Sequence, residues 1–274
     1  MIVFGAIAPH GPIAVAEACT DEELALAAAT RTGFEELARR CAAAAPEVVL
    51  VATPHSVHVQ GAMAVVLSAG MEGAVSGTDG RTIALECEID RELSALALDT
   101  LQAAGVAAVG VSFGGNRIEE AVMPMDWGTL IPLWHLGGRS GPPLRAVVVS
   151  PARDLTPEAH VAAGKALADA AARSGKRIAF VASADHGHAH AADGPYGYDE
   201  ASAEYDGLVA RVVTENRLAD LLELDPALVE RAAADSWWQL LMLHGALGAG
   251  WAAELLSCEA PSYYGMLCAS FTPV

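Results

Sequence analysis

The chain has 274 residues, 53% of them hydrophobic and only 5% aromatic, which is enough apolar material for one large α/β domain spanning 1–274 with a core of Ala, Val and Leu. A formal net charge of −18 opposes attraction to nucleic-acid phosphates and to an anionic membrane surface, so neither is an expected partner. Five scattered cysteines without CxxC spacing, no apolar run of the roughly 18 to 20 residues a membrane helix needs, and no basic segment before the first apolar run predict a reduced, cytoplasmic protein.

Ile2 to Ala8 is a continuous apolar run stopped by Pro9-His10-Gly11-Pro12, the pattern of a buried strand feeding a loop. Asp21 to Ala45, rich in Ala, Leu and Glu with Arg39-Arg40 near its end, predicts an amphipathic helix, and Glu47 to Ala52 a second buried strand. Gly-rich sequence around Met63 to Leu67, within Gln60 to Arg81, predicts a short edge strand or hairpin beside the main sheet. A helix over Arg91 to Ala104 and strands over Val106 to Val111 and Arg145 to Ser150 continue the alternation. Thr156 and Glu158 at one end and Gly175 at the other bracket a helix from Thr156 to Ser174, which leads into a strand from Arg177 to Ser183. Ala201 to Leu224 and Pro226 to Leu247 predict two more helices, and Gly265 to Phe271 a closing strand.

Helices alternating with buried strands predict an α/β fold with a central, mostly parallel mixed sheet and helices on both faces. In such sheets ligands gather at the carboxyl ends of the strands. His10, His55 in Thr53-Pro54-His55 and the segment Asp185-His186-Gly187-His188 all follow strand ends. Two neutral imidazoles and one carboxylate can cap one face of a divalent iron and leave the other positions open. His10 and His55 are candidates for those imidazoles, the alternative being turn residues bonded to backbone. The histidines after Ser183 equally fit a solvated polar loop, which is the expected role of His186 and His190. Gly114-Gly115-Asn116 lacks the flanking pattern of a phosphate cradle, and no GxSxG elbow is present.

Ala8-Pro9-His10-Gly11-Pro12, Thr53-Pro54-His55, Asp126-Trp127-Gly128-Thr129, Ser183-Ala184-Asp185-His186-Gly187-His188 and Glu259-Ala260-Pro261-Ser262-Tyr263-Tyr264-Gly265 together resemble the class III extradiol ring-cleavage dioxygenases of the catalytic B-subunit (LigB-like) type. The resemblance covers almost the whole chain in the same motif order. It implies that His10 and His55 bind non-haem Fe(II), with zinc as a substitute, and that His188 is the acid/base beside a small aromatic substrate that reacts with O2. It also implies a homo-oligomer or a second subunit.

Two positions depart from the family pattern. The third ligand there is a glutamate on the helix before a Gly-Ala-Leu segment, and counting back from Gly245 places Asp235 at or beside that position, with Glu230 and Glu259 as fallback carboxylates and a capping acid as the alternative. Trp127 stands where several members carry a substrate-contacting histidine; it offers an apolar face and one N–H but no titratable nitrogen. Asp126 is expected either to orient a ligand histidine or to form a turn before Gly128. Tyr196, Tyr198 and His58 are pocket candidates, while His135, His160 and His244 are expected to be structural. The reading that follows is an Fe(II)-dependent dioxygenase opening a catecholic or 2-aminophenolic ring. The rivals are a non-catalytic, metal-binding Memo-like protein, whose ligand at the Asp235 position is a thiolate, and a zinc-dependent hydrolase.

Overall fold

Strands buried on both faces have to be covered by other elements on both sides, and this requirement organises the molecule. The computed structural model describes residues 1–141 and 143–274. In chain order the elements are β1 (Ile2–Ala8), α1 (Ala28–Ala44), β2 (Val48–Ala52), β3 (Met63–Val66), β4 (Gly70–Ser76), β5 (Thr82–Glu88), α2 (Arg91–Ala103), β6 (Ala108–Val111) and β7 (Val122–Pro124). They continue with α3 (Trp127–Leu133), β8 (Arg145–Ser150), α4 (Pro157–Arg173), β9 (Ile178–Ser183), α5 (Ala201–Thr214), α6 (Pro226–Arg231), α7 (Trp237–Leu247), β10 (Trp251–Glu259) and β11 (Met266–Pro273).

An eight-stranded mixed sheet runs in the order β10-β11-β1-β9-β2-β8-β3-β6, with β1, β9, β2 and β8 mutually parallel at its centre. β11 and β3 run antiparallel to their central neighbours β1 and β8. Alternate residues of the central strands feed two different cores, as the period of 2 requires. Val48, Leu50 and Ala52 face the core under α2, α4, α5 and α7, whereas Val49 and Val51 face the one under α1 and α3. Helices therefore flank both faces of the sheet, as the apolar runs predict.

Three local expectations change. β3 joins the main sheet between β8 and β6, and β4 and β5 form a hairpin in a separate three-stranded sheet with β7. Half-buried alternation along β5 explains the separation, since one of its faces stays in solvent. The helix predicted from Asp21 begins regularly only at Ala28. The two long helices after Ala201 each break at a non-glycine residue in the left-handed region, Asn216 (φ 55°) and Ala233 (φ 46°), which ends the hydrogen-bonded ladder. β10, β7 and α3 are additional elements.

The contact that places α7 is backbone against backbone. A Cβ added at Gly164 of α4 would lie 1.9 Å from the Met242 carbonyl oxygen, and one at Gly245 of α7 would lie 2.1 Å from that of Val161. The small side chains of α4 thus let the two helices cross closely, and α7 in turn packs on β9 and β1. Gly164→Ala and Gly245→Ala are each expected to destabilise by about 1–3 kcal/mol through forced separation of the helices. Gly207→Ala, in an exposed helical position with open space around the new methyl, is expected to stabilise by about 0.5–1 kcal/mol. Thermal denaturation of the three variants checks the pattern, and equal melting temperatures for all three would contradict it.

Candidate metal centre

Parallel register brings three loops to one edge of the sheet. Ala8 at the end of β1 lies beside Ser183 at the end of β9, and Ala52 at the end of β2 lies beside Ala182. His10 follows β1 by two residues and His55 follows β2 by three. Asp235 arrives from the other direction, in the loop between α6 and α7 rather than on the helix itself. Gln239, in the first turn of α7, fixes that loop: its Nε2 donates to the Ser183 carbonyl at 3.0 Å and to the Asp235 carbonyl at 2.7 Å.

The three side chains converge. His10 Nε2 and His55 Nε2 are 3.0 Å apart, and Asp235 Oδ2 lies 3.0 Å from His55 Nε2 and 3.4 Å from His10 Nε2. His10 and Asp235 are buried, at 1% and 5% exposure, and His55 is half-buried. Ligands held at right angles about 2.1 Å from an ion stand about 3.0 Å from one another, so these spacings suit three adjacent positions on one metal.

Hydrogen bonding settles which nitrogen of His10 is free. The Ser183 hydroxyl donates its single proton to the Gly128 carbonyl, so its oxygen accepts from His10 Nδ1–H at 2.9 Å. That leaves the Nε2 lone pair facing His55 and Asp235, the arrangement in which metal-bound imidazoles are normally held. Asp185 Oδ1 accepts from the His10 backbone N–H at 2.9 Å and anchors the loop.

Charge at the centre is unbalanced without a cation. Burial opposes ionisation of His10, but the nearby Asp185 and Asp235 carboxylates outweigh it and push the imidazole up to about 9. Burial likewise opposes ionisation of Asp235, yet His10 and His55 hold its carboxyl well below the usual carboxylate range. Asp235 Oδ1 is buried with no hydrogen-bond partner. A buried carboxylate with one oxygen beside two imidazole nitrogens and the other orphaned is a donor set that fits a divalent metal of nitrogen and oxygen preference.

His188 sits beside this trio. It lines a cleft of about 470 Å³ together with His55, Asp235, Tyr196 and the two tryptophans of α7. Its Nδ1–H donates to the His186 carbonyl at 2.8 Å, which leaves Nε2 as the proton-accepting nitrogen. The ring stacks on Tyr264 at an inclination of 27°, with centroids 5.8 Å apart.

Other candidates take different places. Asp126 caps α3, accepting from Thr129 N and Oγ1, and also accepts from Thr53 Oγ1, whose oxygen in turn accepts from the His55 N–H. Trp127 packs on His55 with ring centroids 4.4 Å apart, but it lines a second, more apolar cleft with Phe113 and Met123. His58 is exposed and lines neither cleft. His186 bonds to Ser236 and His190 to Asp206, so both brace the loop. Glu230 is exposed on the cleft rim, and Glu259 accepts from Thr30 N and Oγ1. Sequence reasoning gave no role to Ser183, Asp185 or Gln239. The only signals for them were adjacency to the histidine motif and the four-residue spacing from Asp235.

Comparison with known proteins gives the family and the fold. The family model described as the catalytic LigB subunit of aromatic ring-opening dioxygenase matches residues 5–268. A protein of Clostridium acetobutylicum, Protein CA_C1420, is 23% identical over 252 residues, which is 92% of this chain and 53% of that protein. The chain thus spans about half the length of that curated relative. The crystal structure of the uncharacterized protein JW3007 from Escherichia coli K12 has the same fold, with a TM-score of 0.62 at 13% identity, covering 98% of this chain and 99% of that one. The chain belongs to the LigB family. No described helix is long and apolar enough to cross a membrane.

Asp235→Ala is expected to abolish stoichiometric binding of a divalent metal. Ser183→Ala, which frees the His10 ring, is expected to weaken metal affinity by about 10- to 100-fold. Metal content after dialysis against a graded chelator checks both, and full retention by Asp235→Ala would move the ligand elsewhere.

Proposed function

We propose that this member of the LigB family is a non-haem Fe(II)-dependent dioxygenase that opens a catecholic or 2-aminophenolic ring with O2. The observation that carries the reading is two imidazoles and a carboxylate spaced for one metal, of which His55 and Asp235 line the same cleft as the separately held His188. Because the chain spans about half of its curated relative, the reading concerns the chemistry of this site.

The division of labour follows from the chain's own groups. His10, His55 and Asp235 would hold the metal and, gathered on one side of it, leave the cleft side for substrate. Ferrous iron, when bound, supplies Lewis acidity toward a ring hydroxyl and redox chemistry with dioxygen. His188 takes the proton that a ring hydroxyl gives up on binding, because its Nε2 lone pair is fixed by the Nδ1–H bond to the His186 carbonyl. Tyr196 and Trp237 give the cleft an aromatic wall against which a flat ring can lie. Zinc fits the same donors, so metal content alone does not distinguish ring opening from hydrolysis.

Reconstitution with ferrous iron without oxygen, followed by oxygen uptake on a panel of catechols and aminophenols, is expected to show turnover on at least one ring. His188→Ala is expected to keep its iron and lose about 10²- to 10⁴-fold in turnover. Bound iron with no uptake on any ring would contradict catalysis and favour a binding role. Zinc with ester or amide hydrolysis would favour a hydrolase.

A further inference from the structure

We infer that the apolar cleft lined by Phe113 and Trp127 is a subsite for a second aromatic ring, so that the preferred substrate is a two-ring compound; this rests on the ring-opening reading of the neighbouring cleft. The two clefts meet at one side chain. His55 lines both, with its Nε2 turned to His10 and Asp235 and its ring packed on Trp127 at 4.4 Å between centroids. Pro12, two residues beyond His10, lines the second cleft as well. A substituent on a ring held at the metal trio therefore has this cleft beside it.

The lining selects a flat, apolar group. The cleft holds about 560 Å³, within the range of small-ligand sites. Phe113 and Trp127 are 59% and 46% exposed, and Val57, Met123 and Met125 complete the apolar lining. Single exposed aromatics are ordinary, whereas apolar side chains gathered in one cleft mark a binding site. The polar groups there are already committed: Asp126 accepts from Thr53 Oγ1 and from Thr129 N and Oγ1, and the Ser56 hydroxyl is buried. No Lys or Arg occurs among the described lining residues. Backbone geometry places both aromatic side chains. A Cβ at Gly128 would lie 2.5 Å from Thr53 Oγ1 and 3.2 Å from His55 Cδ2, so the start of α3 sits tight against His55. Gly114 and Gly115, with φ of 67° and 74°, turn the chain directly after Phe113. Two flat rings and two pliable thioethers suit an aromatic ring better than a charged group.

The test measures binding to the ferrous protein under nitrogen by calorimetry. The probes are catechol, 3-phenylcatechol and 4-phenylcatechol, whose isomers aim the second ring in different directions. At least one phenylcatechol is expected to bind about tenfold or more tighter than catechol, as burial of one aromatic ring implies. Phe113→Ala and Trp127→Ala are each expected to bring that ratio down toward one, and Phe113→Tyr to keep it. A ratio that falls in Trp238→Ala and not in Phe113→Ala would place the second ring in the metal-side cleft and overturn the subsite. A ratio near one for both isomers, with a dimer that Phe113→Ala dissolves on sedimentation, assigns the cleft to a second copy and equally overturns it.

A second arm separates this inference from the ring-opening reading. Metal-free protein is titrated with phenol, 2-phenylphenol and 4-phenylphenol, and oxygen uptake on the catechols is measured in parallel. Phe113-dependent preference for the second ring with no oxygen uptake keeps the subsite and sinks ring opening. Uptake with no Phe113-dependent preference in either arm keeps ring opening and sinks the subsite.

Discussion

Burial of the Asp235 carboxylate is the constraint on which the rest of the structure depends. Removing an ionised carboxylate from water costs several kcal/mol unless opposite charge and hydrogen bonds replace the lost solvation. Here one oxygen meets His10 and His55, and the other has no partner. A divalent cation answers both needs, since it neutralises the acid and gives two converging imidazole lone pairs a common target. Without one, the protein must draw a proton onto His10, which is the direction in which the two nearby carboxylates push that ring.

The fold reads as the means of holding this costly arrangement in place. Parallel pairing of β1, β9 and β2 delivers two of the loops to one edge, and the glycine crossing of α4 with α7 lowers the third onto them. Gln239 then bonds the end of β9 to the start of the Asp235 loop. Positions far apart in sequence are thereby brought together by strand pairing, one close helix crossing and one buried side-chain amide. Preorganisation of this kind is what a site needs if its residues are to act without first being ordered.

How much of this was legible depended on whether the signal was local. β1, β2, β8 and β9 are buried on both faces, so their apolar runs were plain, and α4 carried its own cap in Thr156 and its own stop at Gly175. The break at Ala233 was not legible, because an alanine forced into the left-handed region by its neighbours looks like any helix former, whereas Asn216 is of a residue type that favours a left-handed helix stop. That hidden break is why Asp235 was expected on a helix and sits in a loop. His10 and His55 could be picked out by their place after strands. Ser183, Asp185 and Gln239 could not, since they act on backbone atoms and on a ring nitrogen whose positions exist only in the folded chain.

The most direct test of this account is a crystal of the iron-loaded protein measured on both sides of the iron absorption edge. The account predicts one strong anomalous peak within bonding distance of His10 Nε2, His55 Nε2 and an Asp235 carboxylate oxygen, and its disappearance in Asp235→Ala. A peak held by other residues, or one that persists at full height in that variant, would contradict it.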